Sequence, residues 1–174
     1  MRNYLGWIVA LAMVLGIPVD GAQSSQPASE TFTWVGELVS RDEAAGKITV
    51  KARVAYQEAL SELKQFKAGE HVWVAWSGVS DHSDAVRQIR RREANGKIAD
   101  ALVTPAELVS PETTNQYVTL RVGAPAASLA SIKNVKPGEW VTVTSRHRPA
   151  TDTEAVVAVK PYSESSSTTS TTTN

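Results

Sequence analysis

Two short phrases in this 174-residue chain each occur twice, about 70 residues apart. Gly36-Glu37-Leu38-Val39-Ser40 returns as Ala106-Glu107-Leu108-Val109-Ser110, and Gly69-Glu70-His71-Val72-Trp73-Val74 returns as Gly138-Glu139-Trp140-Val141-Thr142-Val143. Repetition at a fixed period means that one supersecondary unit is used twice, which constrains the architecture before any residue is given a role. The repeats are expected to span residues 31–92 and 101–162, with a linker at 93–100 whose Asn95-Gly96 is a turn signal.

The flanks differ in kind. Arg2 followed by the apolar run Leu5 to Val19 and the small residues Gly21 and Ala22 reads as a cleaved export signal over residues 1–22. The run is short for a membrane-spanning helix and Pro18 interrupts it, so the mature chain is expected to have no membrane span and to be periplasmic or secreted. Residues 23–30 form a polar lead-in. The Ser/Thr-rich end at 163–174 lacks apolar residues that would offset the entropy of ordering, so both are expected to be disordered. The chain has no cysteine, which removes disulfides, thiolate chemistry and cysteine metal ligands. Lys+Arg 18 balance Asp+Glu 18, leaving no global field for nucleic acid.

Within each repeat, apolar and polar residues alternate with period two, as half-buried strands require. Phe32 to Val39, Lys47 to Lys51, the segment after Gly69 and Ala85 to Arg90 are strands in the first copy. Leu102 to Ser110, Tyr117 to Val122, the segment after Gly138 and Ala155 to Lys160 are strands in the second. Lys136-Pro137-Gly138-Glu139 specifies a type II turn, and Lys67-Ala68-Gly69-Glu70 keeps the glycine that such a turn needs. Val72, Val74, Val141 and Val143 should therefore face the core, with His71, Trp73 and Ala75 in one copy and Trp140, Thr142 and Thr144 in the other on the opposite face. Tyr56, Ala59, Leu60, Leu63 and Phe66 recur at helical spacing and suggest a short helix, whereas the second copy, with only Leu129, Ile132 and Val135 in a segment holding Gly123 and Pro125, suggests a looser turn. Four or five short strands in about 60 residues match an all-β fold of two tandem OB-like barrels. A single β-sandwich built jointly by both repeats is the rival.

The order Gly-x-Leu-Val-Ser, Gly46-Lys47-Ile48-Thr49-Val50, Leu63 to Val72 and then Val86-x-x-Ile89 resembles bacterial exported proteins with small OB-like barrels. These include a widespread uncharacterised domain family and, distantly, the periplasmic copper-binding chaperone of efflux systems. The chaperone resemblance implies a histidine, a tryptophan and two methionines at a soft-metal site. Lys51 to Glu58 holds none of them, and Met1 and Met13 lie in the signal, so the resemblance extends to the fold and not to that copper site.

No paired carboxylates, phosphate loop or nucleophile motif is present, so the chain is read as a non-enzyme without a cofactor. The expected role is binding a protein or glycan partner through His71, Trp73 and Trp140, with a metal-binding (copper or zinc) protein as the alternative. Asp81-His82-Ser83-Asp84 is read as a polar turn and His147 as a solvated loop residue. Arg90, Arg91 and Arg92 give a third, weaker reading as a single-strand nucleic-acid groove, against their role as charged guards of an exposed edge strand.

Overall fold

The computed structural model describes residues 31–78, 86–92, 102–147, 149 and 151–163. The segments expected to be an export signal, a lead-in and a linker, together with Asp81 to Asp84 and the residues beyond Ser163, lie outside the described residues. The first repeat contributes β1 (Thr31–Asp42), β2 (Lys47–Arg53), α1 (Gln57–Leu63), β3 (His71–Trp76) and β4 (Val86–Arg91). The second contributes β5 (Val103–Glu112), β6 (Tyr117–Gly123), α2 (Ala126–Ser131), β7 (Trp140–Arg146), a single helical turn α3 (Asp152–Ala155) and β8 (Val156–Pro161). A 3-10 turn at Thr113–Asn115 joins β5 to β6. Among the described residues no helix is long and apolar enough to cross a membrane.

The chain is all-β in its sheet, but the repeats do not fold as two sequential barrels. All eight strands form one antiparallel sheet in the order β4-β3-β5-β6-β2-β1-β7-β8. Each repeat keeps its hairpins, β1–β2 with β3–β4 and β5–β6 with β7–β8, yet the two hairpins of a repeat never pair with each other. Instead β1 pairs with β7, β5 with β3, and β2 with β6. The repeats are thus exchanged within one chain, nearer to the joint architecture than to separate modules. The physical reason lies in β1 and β5. Each is too long for one partner, pairing over its first half with the other repeat and over its second half with its own hairpin mate. A unit of about 60 residues is also marginal alone, whereas exchange gives both repeats one shared core.

A pseudo-twofold axis passes between Val50 and Leu120, which pair across β2 and β6 and occupy equivalent positions in the repeats. The two repeated phrases meet across this arrangement. Gly138 donates to the Leu38 carbonyl and Leu38 to the Glu139 carbonyl, both at 2.8 Å. Gly69 and Leu108 make the same exchange with Leu108 and Glu70, at 2.7 and 2.8 Å. The Leu-Val-Ser phrase and the Gly-Glu turn are therefore the two sides of a single contact, made twice. Both turns take the expected type II form, with Gly69 at φ 87° and Gly138 at φ 92°. Each turn is closed by its glutamate carboxylate accepting from Lys67 N–H and Lys136 N–H, at 3.2 and 2.8 Å.

The core lies inside the rolled sheet. Val72, Val74, Val141 and Val143 are fully buried as expected. Trp34 of β1 stacks on Trp76 of β3, ring centroids 4.1 Å apart, although three strands separate β1 from β3 within the sheet. The positions equivalent to these tryptophans in the second repeat are Thr104 and Ser145. Trp34 donates to Ser145 Oγ at 2.9 Å and Trp76 to Thr104 Oγ1 at 3.1 Å, and the two hydroxyls are 3.4 Å apart. One repeat supplies the bulk and the other supplies the acceptors, so the centre is filled without leaving either indole N–H unpaired.

The helices cover the sheet edges. On β4, Glu62 of α1 accepts from Ile89 N–H at 3.1 Å. On β8, Ser128 of α2 accepts from Val159 N–H at 3.1 Å, and Ser131 donates to the Val159 carbonyl at 2.6 Å. Ile89 and Val159 are equivalent, so each exposed edge has its central residue occupied by a side chain from its own helix, a device against edge-to-edge pairing. The second copy thus has a helix where its glycine and proline suggested a looser turn, because Pro125 serves as the extended residue preceding the helix rather than interrupting it.

Candidate functional site

The face of the sheet opposite the core carries most of the charged side chains of the strands. Glu37 and Glu107 mark the points at which β1 and β5 change partners, so each glutamate has a neighbour on both sides. Glu107 lies between His71 and Arg121, and Glu37 between Trp140 and Lys51. These two rows are equivalent by the pseudo-twofold axis, and they differ in the aromatic position that the repeats do not share.

At the first row Arg121 reaches Glu107 at 2.8 Å, and Lys47 from β2 approaches the same carboxylate at 3.7 Å. His71 is exposed beside them. A hollow of about 120 Å³ opens here, lined by Gly46, Lys47, His71, Pro105, Glu107 and Arg121, with Asp152 and Thr153 at its rim. Pro105 is tolerated within β5 because the pairing with β6 begins only at Glu107, leaving its missing N–H without a partner to disappoint. On the other side of His71 a wide, shallow depression runs past Gln65, Lys67, Glu70, Arg91 and Arg92. His71 therefore stands between two concavities.

Trp73 lies two residues along β3 on the same face, opposite Pro105. Arg92 sits over its ring, 5.0 Å from the centroid, and is ion-paired to Asp152 of α3. The β7–β8 connection is thereby tied across the face of the other half-sheet, and it leaves Trp73 half-buried with its indole N–H enclosed and without an acceptor.

Of the six residues singled out in the sequence, His71, Trp73 and Arg92 come together. Trp140 occupies the equivalent row on the other half-sheet and is half-buried. The arginines divide. Arg91 is bound to Glu70 at 3.0 Å and covers the Phe66 ring, and Arg92 is committed to Asp152 and Trp73, while Arg90 is exposed on the edge strand opposite Trp73. That is not a row of unpaired cations tracking a phosphate backbone, and β4 is indeed an edge strand. Among the described residues no group of three His, Asp or Glu side chains converges as a metal site would require. His147 is not the solvated loop residue expected. It packs edge-on against Phe32 with centroids 5.2 Å apart, and its Nδ1 is enclosed.

Glu107, Arg121, Lys47 and Asp152 were not singled out by sequence. Glu37 and Glu107 did carry a signal, since the same glutamate precedes Leu-Val in both copies, but its meaning depended on knowing that β1 and β5 change partners there. Asp152 carried none. Comparison of the chain with protein-family models, with curated proteins and with solved structures returns no match.

Proposed function

We propose that the chain is an exported, non-enzymatic binding protein that engages a protein or glycan partner through the outer face around His71. The observation that supports this most is the position of His71, an exposed imidazole on a sheet face between two concavities, with charged groups already held in ion pairs around it. Such a surface presents fixed hydrogen-bonding groups without the entropic cost of ordering them on binding. Export through the residues 1–22 signal belongs to the same reading. So does an OB-like unit, which would be an exchanged half-sheet, β3–β4 of one repeat with β5–β6 of the other, rather than a sequential repeat.

A photo-crosslinking residue placed at His71 in cells that produce the chain tests the proposal. It is expected to yield a discrete adduct in the cell envelope or medium, with no equivalent product from a control at Glu43 in the β1–β2 turn. Indistinguishable results from the two positions would refute it.

A further inference from the structure

We infer that the hollow beside His71 receives an uncharged, hydroxyl-rich ligand, the edge of a neutral saccharide; this rests on the binding role proposed above and narrows its ligand class. The lining itself selects against charge. Lys47 and Arg121 would repel a cation, Glu107 and Asp152 would repel an anion, and each carboxylate is already held by a cation, Glu107 by Arg121 at 2.8 Å and Asp152 by Arg92. An ionic ligand would have to compete with these partly exposed pairs for its own partner, which offsets much of what its charge would contribute. Hydroxyl groups need not do so. A hydroxyl donates to the remaining lone pairs of Glu107 and accepts from the remaining N–H groups of Arg121 and Lys47, because a carboxylate has about four acceptor sites and a guanidinium five donors.

Size and shape agree. A hollow of about 120 Å³ holds the volume of about four waters, enough for one edge of a pyranose with its vicinal hydroxyls. Pro105, Ala106 and Val122 supply apolar lining, suited to the C–H face of a sugar ring, while Glu107 and Arg121 supply polar lining. His71 closes the outer rim with a ring that both stacks and hydrogen-bonds. The other row lacks this combination, since Trp140 takes the place of His71 and Lys51 is turned toward Glu112, at 3.1 Å, instead of toward Glu37.

The test is a titration of the isotope-labelled full chain with cellobiose and N,N′-diacetylchitobiose, compared with anionic trigalacturonate and cationic chitosan trimer, followed by amide chemical shifts. The expected result is that a neutral disaccharide perturbs Gly46, Glu107, Gly123 and Thr153, with an affinity that changes little between low and high salt. Glu107→Gln should weaken the neutral sugar roughly tenfold, as for loss of a hydrogen bond to a charged group, and make the hollow net positive so that trigalacturonate binds. Near-UV circular dichroism establishes that the variant is folded, and the wild-type shift map stands independently of it. Tighter, salt-sensitive binding of either charged oligomer to the wild type would overturn the inference, as would perturbations clustered elsewhere. If no sugar binds while crosslinks from His71 persist, the saccharide assignment falls and the binding role stands. If both fail, both fall.

Discussion

Thr104→Val is the most direct test of the exchanged architecture. The substitution preserves shape at a fully buried position and removes the hydroxyl that accepts from Trp76 Nε1, at 3.1 Å. Ser145 already accepts from Trp34 and lies on the far side of Thr104, so Trp76 is left with a buried donor and no acceptor. Such a group costs about 1–3 kcal/mol, and there is no cavity term because the volume is unchanged. At about 3–4 °C per kcal/mol for a domain of this size, the melting temperature should fall by roughly 3–12 °C. The decisive point is which part of the protein reports the loss. Thr104 belongs to the second repeat, whereas Trp34, Trp73 and Trp76 belong to the first, and the comparison is made in a Trp140→Phe background so that no tryptophan of the second repeat contributes. If the strands are exchanged, the tryptophan fluorescence and the far-UV circular dichroism of Thr104→Val must shift together in one cooperative urea transition, with an unchanged slope. Two separable transitions, with the tryptophan signal remaining at its wild-type midpoint, would refute interleaving of the repeats. A double-mutant cycle with Trp76→Phe isolates the pair, and a coupling energy near zero would refute the hydrogen bond as the cause.

Gly138→Ala should destabilise the protein by about 1–2 kcal/mol through the positive φ alone, because a β-carbon there meets no atom within 4 Å. Gly69→Ala is expected to match it within error in chemical denaturation, and a large difference would show that the two turns are not equivalent. Lys51 has its pKa raised, first by the hydrogen bond from its ammonium to Glu112, with burial opposing. A folded-state pKa above the unfolded value makes this contribution fully present below the unfolded pKa and lost as pH rises through the higher folded one. Wild type should therefore lose stability relative to Lys51→Met as pH climbs above about 10.4, measured by urea midpoints at pH 9 and above. A parallel pH dependence in the two proteins would refute the linkage.

What could be read in the sequence was local. Period-two alternation located the strands, the Pro-Gly and Ala-Gly dipeptides gave the turns, and the matched valines gave the core face, because each of these depends on neighbours along the chain. Strand partners do not. Nothing in Phe32 to Asp42 says that its first half bonds to β7 and its second half to β2. The length of the strand is the trace of that division, and in the sequence alone it looks like one ordinary strand, Phe32 to Val39, followed by a loop. The core tryptophans show the same limit. Trp34 and Trp76 have Thr104 and Ser145 at the matching positions, which looks like divergence when the copies are aligned. In the folded chain it is complementarity, since two copies of the first repeat would place four indoles at the centre and two copies of the second would leave it empty.

The same reasoning separates the two rows of the outer face. Exchange places Glu37 and Glu107 in identical backbone settings, so any difference between the rows arises from side chains alone. At Glu107 the smaller imidazole of His71 and the forked guanidinium of Arg121 leave a hollow whose charges are mutually satisfied. At Glu37 the neighbouring ammonium of Lys51 bonds instead to Glu112, over the ring of Tyr117 at 4.8 Å. Scaffold constraints act equally on both rows, because both glutamates lie beside the leucine that bonds to the opposite turn. The replacement of tryptophan by histidine is not required by that contact, which is made through the backbone in both copies. It changes only what the face presents to solvent, and for that reason His71, rather than the repeated glutamate beside it, is the residue through which a ligand would distinguish one half of this protein from the other.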